Sequence, residues 1–187
     1  MPEATDPTRA SNALLAAENV YYLEQGASLL ERLTDGLYTR HPPIAMSPVG
    51  GHLRHCLEFY ECFLDGLPLS RVDYDARIRD PAVETDRGRA LAMLRRLAAR
   101  LAEAVDAAQD RPLWVAMDRG AGEQGEAAWS RSTVKRELQF QRSHTVHHYA
   151  LISAVVQLLG LEVPADFGVA PATLEHRRLL AETAASR

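Results

Sequence analysis

Three of the chain's seven histidines fall within residues 143–152, SHTVHHYALI, at His144, His147 and His148. On a helix, residues four apart lie one turn above another on the same face. Two imidazoles so placed can turn ring nitrogens onto a single metal ion. Val134, Leu138, Gln141, His144, His148, Ile152, Val155 and Leu159 advance by threes and fours, the stripe of a helix that faces a core. His144 and His148 are therefore expected to point inward. His147 lies about 60° from His144 and about 100° from His148, so it flanks the pair rather than completing it. Two imidazoles alone do not hold an ion firmly with positions left open, and a further ligand must come from another element.

The stretch GGHLRHCLEFYECF, residues 50–63, offers candidates. Val49, Leu53, Cys56, Leu57, Phe59, Tyr60, Phe63 and Leu64 define an inward face, with Arg54, Glu58 and Glu61 expected to point outward. On an ideal wheel His52 lies well within that face and His55 at its edge, so helix geometry alone favours His52. An isolated inward histidine is ordinarily a core residue satisfied by one hydrogen bond. Several unpaired on two helices would each carry a desolvation cost of about 1–3 kcal/mol, whereas a shared divalent ion turns the cluster into ligands. His41, beside a proline pair, and His176, in EHRR, read as surface residues.

The elements that must position these residues are helical. Residues 13–38 carry leucines, valine and tyrosines at helical spacing, interrupted only by Gly26. Pro42 and Pro43 stop that helix by denying donors and disfavouring helix in the residue before each. Ser47 followed by Pro48 reads as an N-cap and a first helical position, opening a second helix over 48–65. Residues 66–84 mix charge and proline without a period and are assigned to an ordered connection. A third helix runs over 85–108, with Leu91, Leu94, Leu97, Leu101 and Val105 on one face and arginines on the other. Residues 111–132 hold two short apolar pieces around a glycine-rich turn, either a small hairpin or a long loop. A fourth helix over 132–159 ends at Gly160, a natural cap, and a short final helix covers 172–184. The fold expected is all-α, a single domain over 1–187 built as an up-and-down four-helix bundle, with residues 1–11 a polar tail.

Composition narrows the partners. With 21 Lys plus Arg against 25 Asp plus Glu, the net charge is −4 and no extended basic block exists. This argues against nucleic acid as a main partner. No apolar run approaches the roughly 18 residues of a membrane span, and the polar start lacks a signal core. The expectation is a soluble cytoplasmic protein without a membrane partner. Cys56 and Cys62 point about 120° apart on one helix, so they cannot pair and read as reduced, mostly buried thiols.

Taken together, SPVGGHLRHCLEFY and the later HTVHHYALI resemble the DinB-like (DinB/YfiT) superfamily of four-helix metal-binding bundles. That resemblance implies one histidine near the start of the second helix and an HxxxH pair on a later one. Aligning Ser-Pro-Val-Gly with the family's helix start places the three ligands on His55, His144 and His148. This disagrees with the wheel's preference for His52. The register is followed, because a bundle helix can rotate and a histidine side chain can lean toward the site. His52 is kept as a fourth ligand or as a partner standing behind one.

The resemblance further implies a divalent transition metal, Zn or Ni foremost with Fe also compatible, and a small-molecule substrate. The chemistry would be hydrolysis, or thiol transfer or thiol-dependent isomerisation with a low-molecular-weight thiol. A non-catalytic stress-response or binding protein, with a structural or sensing metal, is the competing expectation. A homodimer is expected, partly from the family and partly from apolar surface on the helices. Glu137, Tyr149 and Tyr60 are conceivable pocket groups, although each type more often serves as an ordinary surface or core residue. The loop DFGVAP, residues 166–171, is expected to shape the pocket mouth.

Overall fold

The computed structural model describes residues 7–44, 46–106, 110–117 and 129–185. In chain order its helices are α1 (Pro7–Arg32), α2 (Asp35–Tyr38), α3 (Val49–Gly66), α4 (Pro81–Thr85), α5 (Arg87–Asp106), α6 (Val134–Leu158) and α7 (Pro171–Ala185). The four long ones, α1, α3, α5 and α6, enclose the core, where Leu30, Leu57, Leu94, Leu97, Leu138 and Ile152 are fully buried. The expectation of a helical bundle holds, with a small three-stranded sheet beside it. Ring order is the addition: α1 packs on α5 and α6, and α3 packs on the same two. Helices α1 and α3, successive long elements in the chain, therefore face each other across the diagonal. The histidine-bearing α3 and α6 lie side by side.

Several boundaries move for local reasons. The first helix breaks at residues 33–34, because Thr34 leaves helical geometry and its hydroxyl accepts from the Leu37 amide at 3.3 Å, capping α2. Helix α1 also begins earlier than the polar tail allowed, at Pro7, while residues 1–6 lie outside the described residues. At α3 the cap position falls on Pro48, with no side-chain cap bond, so the cap assigned to Ser47 is not made. Gly160 behaves as expected. It takes a left-handed φ of 82°, the Leu161 amide donates to the Val156 carbonyl and the Gly160 amide to that of Gln157, the paired bonds of a Schellman ending. The glycine that interrupts α1 has a packing reason, since a Cβ at Gly26 would collide with the Tyr149 hydroxyl and crowd Leu94.

The connection over 66–84 is more ordered than its sequence suggests. Strand β1 (Arg71–Asp73) is followed by a short 3-10 turn at Tyr74–Ala76 and then by α4. It pairs in parallel with β2 (Pro112–Ala116), which pairs antiparallel with β3 (Trp129–Thr133), in the order β1-β2-β3. The segment left open between hairpin and loop is thus a hairpin in its strands, extended by β1; its turn, residues 118–128, lies outside the described residues. Strand β3 runs directly into α6, whose N-cap is Thr133, the side chain accepting from the Arg136 amide. The sheet accordingly fixes the start of the helix that carries His144 and His148.

The DFGVAP loop does not reach the histidines. Gln25 donates to the Asp166 carbonyl and accepts from the Gly168 amide, Tyr22 donates to the Val169 carbonyl, and Phe167 stacks on Tyr149 at 4.8 Å. Tyr149 lies about 100° round α6 from His148. The loop therefore closes the α1–α6 seam, where Asp166 and Phe167 line a cavity that includes none of the histidines, instead of shaping the mouth of a histidine pocket.

Candidate metal centre

The line of α6 that is wholly buried runs through Leu138, Gln141, Thr145, Tyr149, Ile152 and Val156. His144 and His148 stand one position before Thr145 and Tyr149, at the edge of that line and half-buried. The inward stripe drawn from sequence ran through the histidines themselves; the hydroxyl-bearing Thr145 and Tyr149 take the deeper places because each has a fitted site. Thr145 bonds Tyr60 and the Gln141 carbonyl, and Tyr149 enters the gap left by Gly26. On α3, His52 and His55 are likewise half-buried, and both face α6.

These four imidazoles meet across the α3–α6 seam. Nε2 of His55 is 3.1 Å from Nε2 of His144, and Nδ1 of His52 is 3.2 Å from Nδ1 of His148. Ring centroids separate by 4.9 Å for His55–His144, 4.7 Å for His55–His148 and 4.6 Å for His144–His148. His55, His144 and His148 each bring one ligand atom to within 4.8 Å of the others, forming the only such group of three His, Cys, Asp or Glu among the described residues. Metal–nitrogen bonds of about 2.0–2.1 Å put neighbouring ligand nitrogens about 3–3.4 Å apart, and the His55–His144 pair already has that spacing. His52 stands outside the triad, behind His148. Exposed His147 touches only the rim, its ring 5.1 Å from that of His148.

The electrostatics suit ligands. Burial is the first cause in every case, joined by neighbouring positive groups. It pushes His55 and His144 down to about 4 and His148 down to about 3, and it lowers His52 as well. Arg77, Arg54 and Arg79 add to the effect on His55. At neutral pH the three imidazoles are therefore uncharged, with lone pairs free to donate. Nδ1 of His144 and Nε2 of His52 are buried without a hydrogen-bond partner on the protein, so a cluster explained only as a hydrogen-bonded core leaves two polar atoms unsatisfied.

An aromatic wall borders the triad. Phe140 stacks on His144 at 5.5 Å, and Phe59 lies 4.6 Å from His144 and 4.9 Å from His55. Tyr74 stacks behind Phe59 and donates to the buried Glu137 carboxylate, while the Gln141 amide donates to the Phe59 carbonyl and to Tyr74. Glu137, Tyr149 and Tyr60, considered as pocket groups, are all buried among core partners. Neither thiol offers a nucleophile. Burial raises Cys56, and burial together with Asp73 pushes Cys62 up to about 11; both are free, as expected.

Two features of this neighbourhood escape sequence reasoning. Glu58, placed outward by its charge, is 3% exposed. Arg54 donates to it twice and the Asp80 amide once, while Arg54 also pairs with Glu84 at 2.8 Å. The connection between β1 and α4 folds over it, a long-range event with no periodic signal. The second feature is Arg77, whose guanidinium sits 4.7 Å over the Phe59 ring and donates to the Tyr74 carbonyl.

Comparison with known proteins agrees with this geometry. A family model described as the DinB superfamily matches residues 25–152, which include all four of these histidines. Over 105 residues the chain is 34% identical to FK506-binding protein 5 of Rhizopus delemar, an alignment covering 56% of this chain and 27% of that protein. The chain thus spans about a quarter of the curated relative it matches. No solved structure matches it.

Proposed function

The chain belongs to the DinB superfamily, and on that premise we propose that His55, His144 and His148 bind one divalent transition metal at an open site acting on a small molecule. The observation that carries this reading is the convergence of three uncharged imidazoles from two helices to within 4.8 Å. The partial exposure of the triad supports a position left for substrate or solvent over a sealed structural ion. Zn or Ni suits an all-imidazole set, and Fe is compatible with it.

A bound divalent ion would supply Lewis-acid polarisation and favour the deprotonated form of a water or thiol. The chain's own residues do the rest. The depressed imidazoles keep their lone pairs available, His52 orients His148 through the Nδ1 contact, and Phe59 and Phe140 limit the access of water from their side. Hydrolysis and transfer from a low-molecular-weight thiol both fit such a position. Because Cys56 and Cys62 are held as thiols, the sulfur in the second reaction would come from a co-substrate.

The same reading takes the protein as a cytoplasmic homodimer. Its support is α7, a nearly fully exposed helix that presents Leu179 and Leu180 at 48% and 57% exposure. None of the described helices is long and apolar enough to cross a membrane. Elemental analysis of protein purified without chelator tests the metal, with about one ion per chain expected. Absence of metal, together with no thermal stabilisation by added Zn²⁺ or Ni²⁺, would leave these as core histidines.

A further inference from the structure

The chain has two tryptophans, Trp114 and Trp129, and both belong to the small sheet. Strand register sets Arg71 of β1, Trp114 of β2 and Arg131 of β3 in one row, with Trp129 two residues along β3 from Arg131. Side chains level with one another across strands, or two apart along one, share a face. The opposite face belongs to the core, where Val72, Leu113 and Val115 are buried. The row itself is open to solvent: Arg71 and Arg131 are exposed and Trp114 is 46% exposed.

The two arginines are held in place without being neutralised. The Arg71 guanidinium lies 3.9 Å from the centre of the Trp129 ring, and that of Arg131 lies 5.4 Å from the centre of the Trp114 ring. An indole attracts a guanidinium through its ring face and accepts no hydrogen bond in the ordinary sense, so the N–H donors remain available. Neither guanidinium has a hydrogen bond or an ion pair among the described residues. The arginines along α5 are different, since Arg95, Arg96 and Arg100 each pair with a carboxylate. Two uncompensated forks therefore flank an exposed indole.

We propose that this face docks a short acidic segment of a protein partner, its carboxylates pairing with Arg71 and Arg131 and an apolar side chain between them covering Trp114. Guanidinium forks match carboxylates through two parallel hydrogen bonds. Tryptophan and arginine are also the residue types that concentrate in protein interfaces and carry most of their energy. The surface is too bounded for a long polyanion. Arg71 also borders a cleft of about 470 Å³ whose lining includes Glu61, Asp65 and Asp73. A nucleic-acid strand or an anionic bilayer would extend its charge past the two arginines toward those carboxylates. Two cations on a chain of net charge −4 also neutralise few phosphates.

Because both tryptophans lie on this face, the protein's tryptophan emission reports its occupancy. The test titrates wild type, R71Q and R131Q with the blocked peptide glutamate-glycine-leucine-glycine-glutamate, in which the three side chains share one face when extended. Its glutamine counterpart, decathymidylate and phosphatidylserine-containing vesicles are titrated in parallel. The acidic peptide is expected to give a saturable emission change in wild type and to bind about tenfold more weakly in each variant, with melting temperature unchanged. R71K and R131K, which keep the charge and lose the fork, should fall between, and they decide the matter if a glutamine variant is destabilised. No saturable change with the acidic peptide overturns the proposal, as does equal affinity in wild type and both glutamine variants. Equal binding of the glutamine peptide overturns it too. Tighter binding of decathymidylate or of the vesicles would replace the acidic segment with a nucleic acid or a membrane.

Discussion

Nδ1 of His52 and Nδ1 of His148 stand 3.2 Å apart across the α3–α6 seam. One must donate and the other accept, so the contact sets the tautomer of His148 and leaves its Nε2 for the triad. His52→Ala is therefore expected to lower metal affinity about 10- to 100-fold and still leave a site that fills at high metal concentration. His148→Ala should lose most bound metal at any practical concentration, while His176→Ala keeps it. Equilibrium dialysis with Zn²⁺ separates these cases. Equal losses in His52→Ala and His148→Ala would make His52 a ligand instead.

Protonation should oppose both metal and fold. In the metal-free protein His55 and His144 sit at about 4 and His148 at about 3, against an ordinary value of 6.5. Between those limits the unfolded chain takes up protons that the folded chain refuses, so stability is fully present above 6.5 and falls as pH drops toward 4. Melting temperature of chelator-treated protein should decline across that window, and more gently in His148→Ala. A flat profile would show that these imidazoles are not buried as neutral groups.

Loss of Glu58 should be felt at a distance. Glu58→Ala removes the acceptor of Arg54 and of the Asp80 amide beneath the segment that carries Arg77 and Arg79. A cost of about 2–3 kcal/mol is expected, below the range for a fully buried pair because Arg54 is partly exposed. Glu58→Gln, which keeps an acceptor for the Asp80 amide, should cost less. Denaturant unfolding of the two variants checks the order.

Gly26 and Tyr149 should behave as a coupled pair. Gly26→Ala alone is expected to cost about 1–3 kcal/mol by overpacking, since the new methyl meets the Tyr149 hydroxyl. Adding Tyr149→Phe should recover part of that loss. A double-mutant cycle without coupling would place the two side chains apart.

What the sequence made legible follows from the range of each signal. Helical periodicity and the Gly160 stop are local, and they place α3, α5 and α6 within about two residues at each end, while α1 begins and ends earlier than expected. The i, i+4 histidine pair is local too. The choice between His52 and His55 was not, because both are half-buried on α3 and only the position of α6 ranks them: His55 meets His144 and His148, while His52 meets His148 alone. The strand β1, the burial of Glu58 and the seat of Arg77 over Phe59 all depend on residues 66–84 folding back over α3. A segment of three-residue strand and 3-10 turns carries no period from which that could be read.

His55 and His144 are 89 residues apart in the chain. An ion shared between them would be a removable crosslink around a loop of that length, more than a local tie. Closing such a loop late restricts the unfolded chain in the manner of a long-range disulfide, with the entropy removed growing only as the logarithm of loop length. Unlike a disulfide, the clasp would open to protons or a chelator. Its metal-free form would keep every helix, and what it would lose is the restraint that holds α3 and α6 in register.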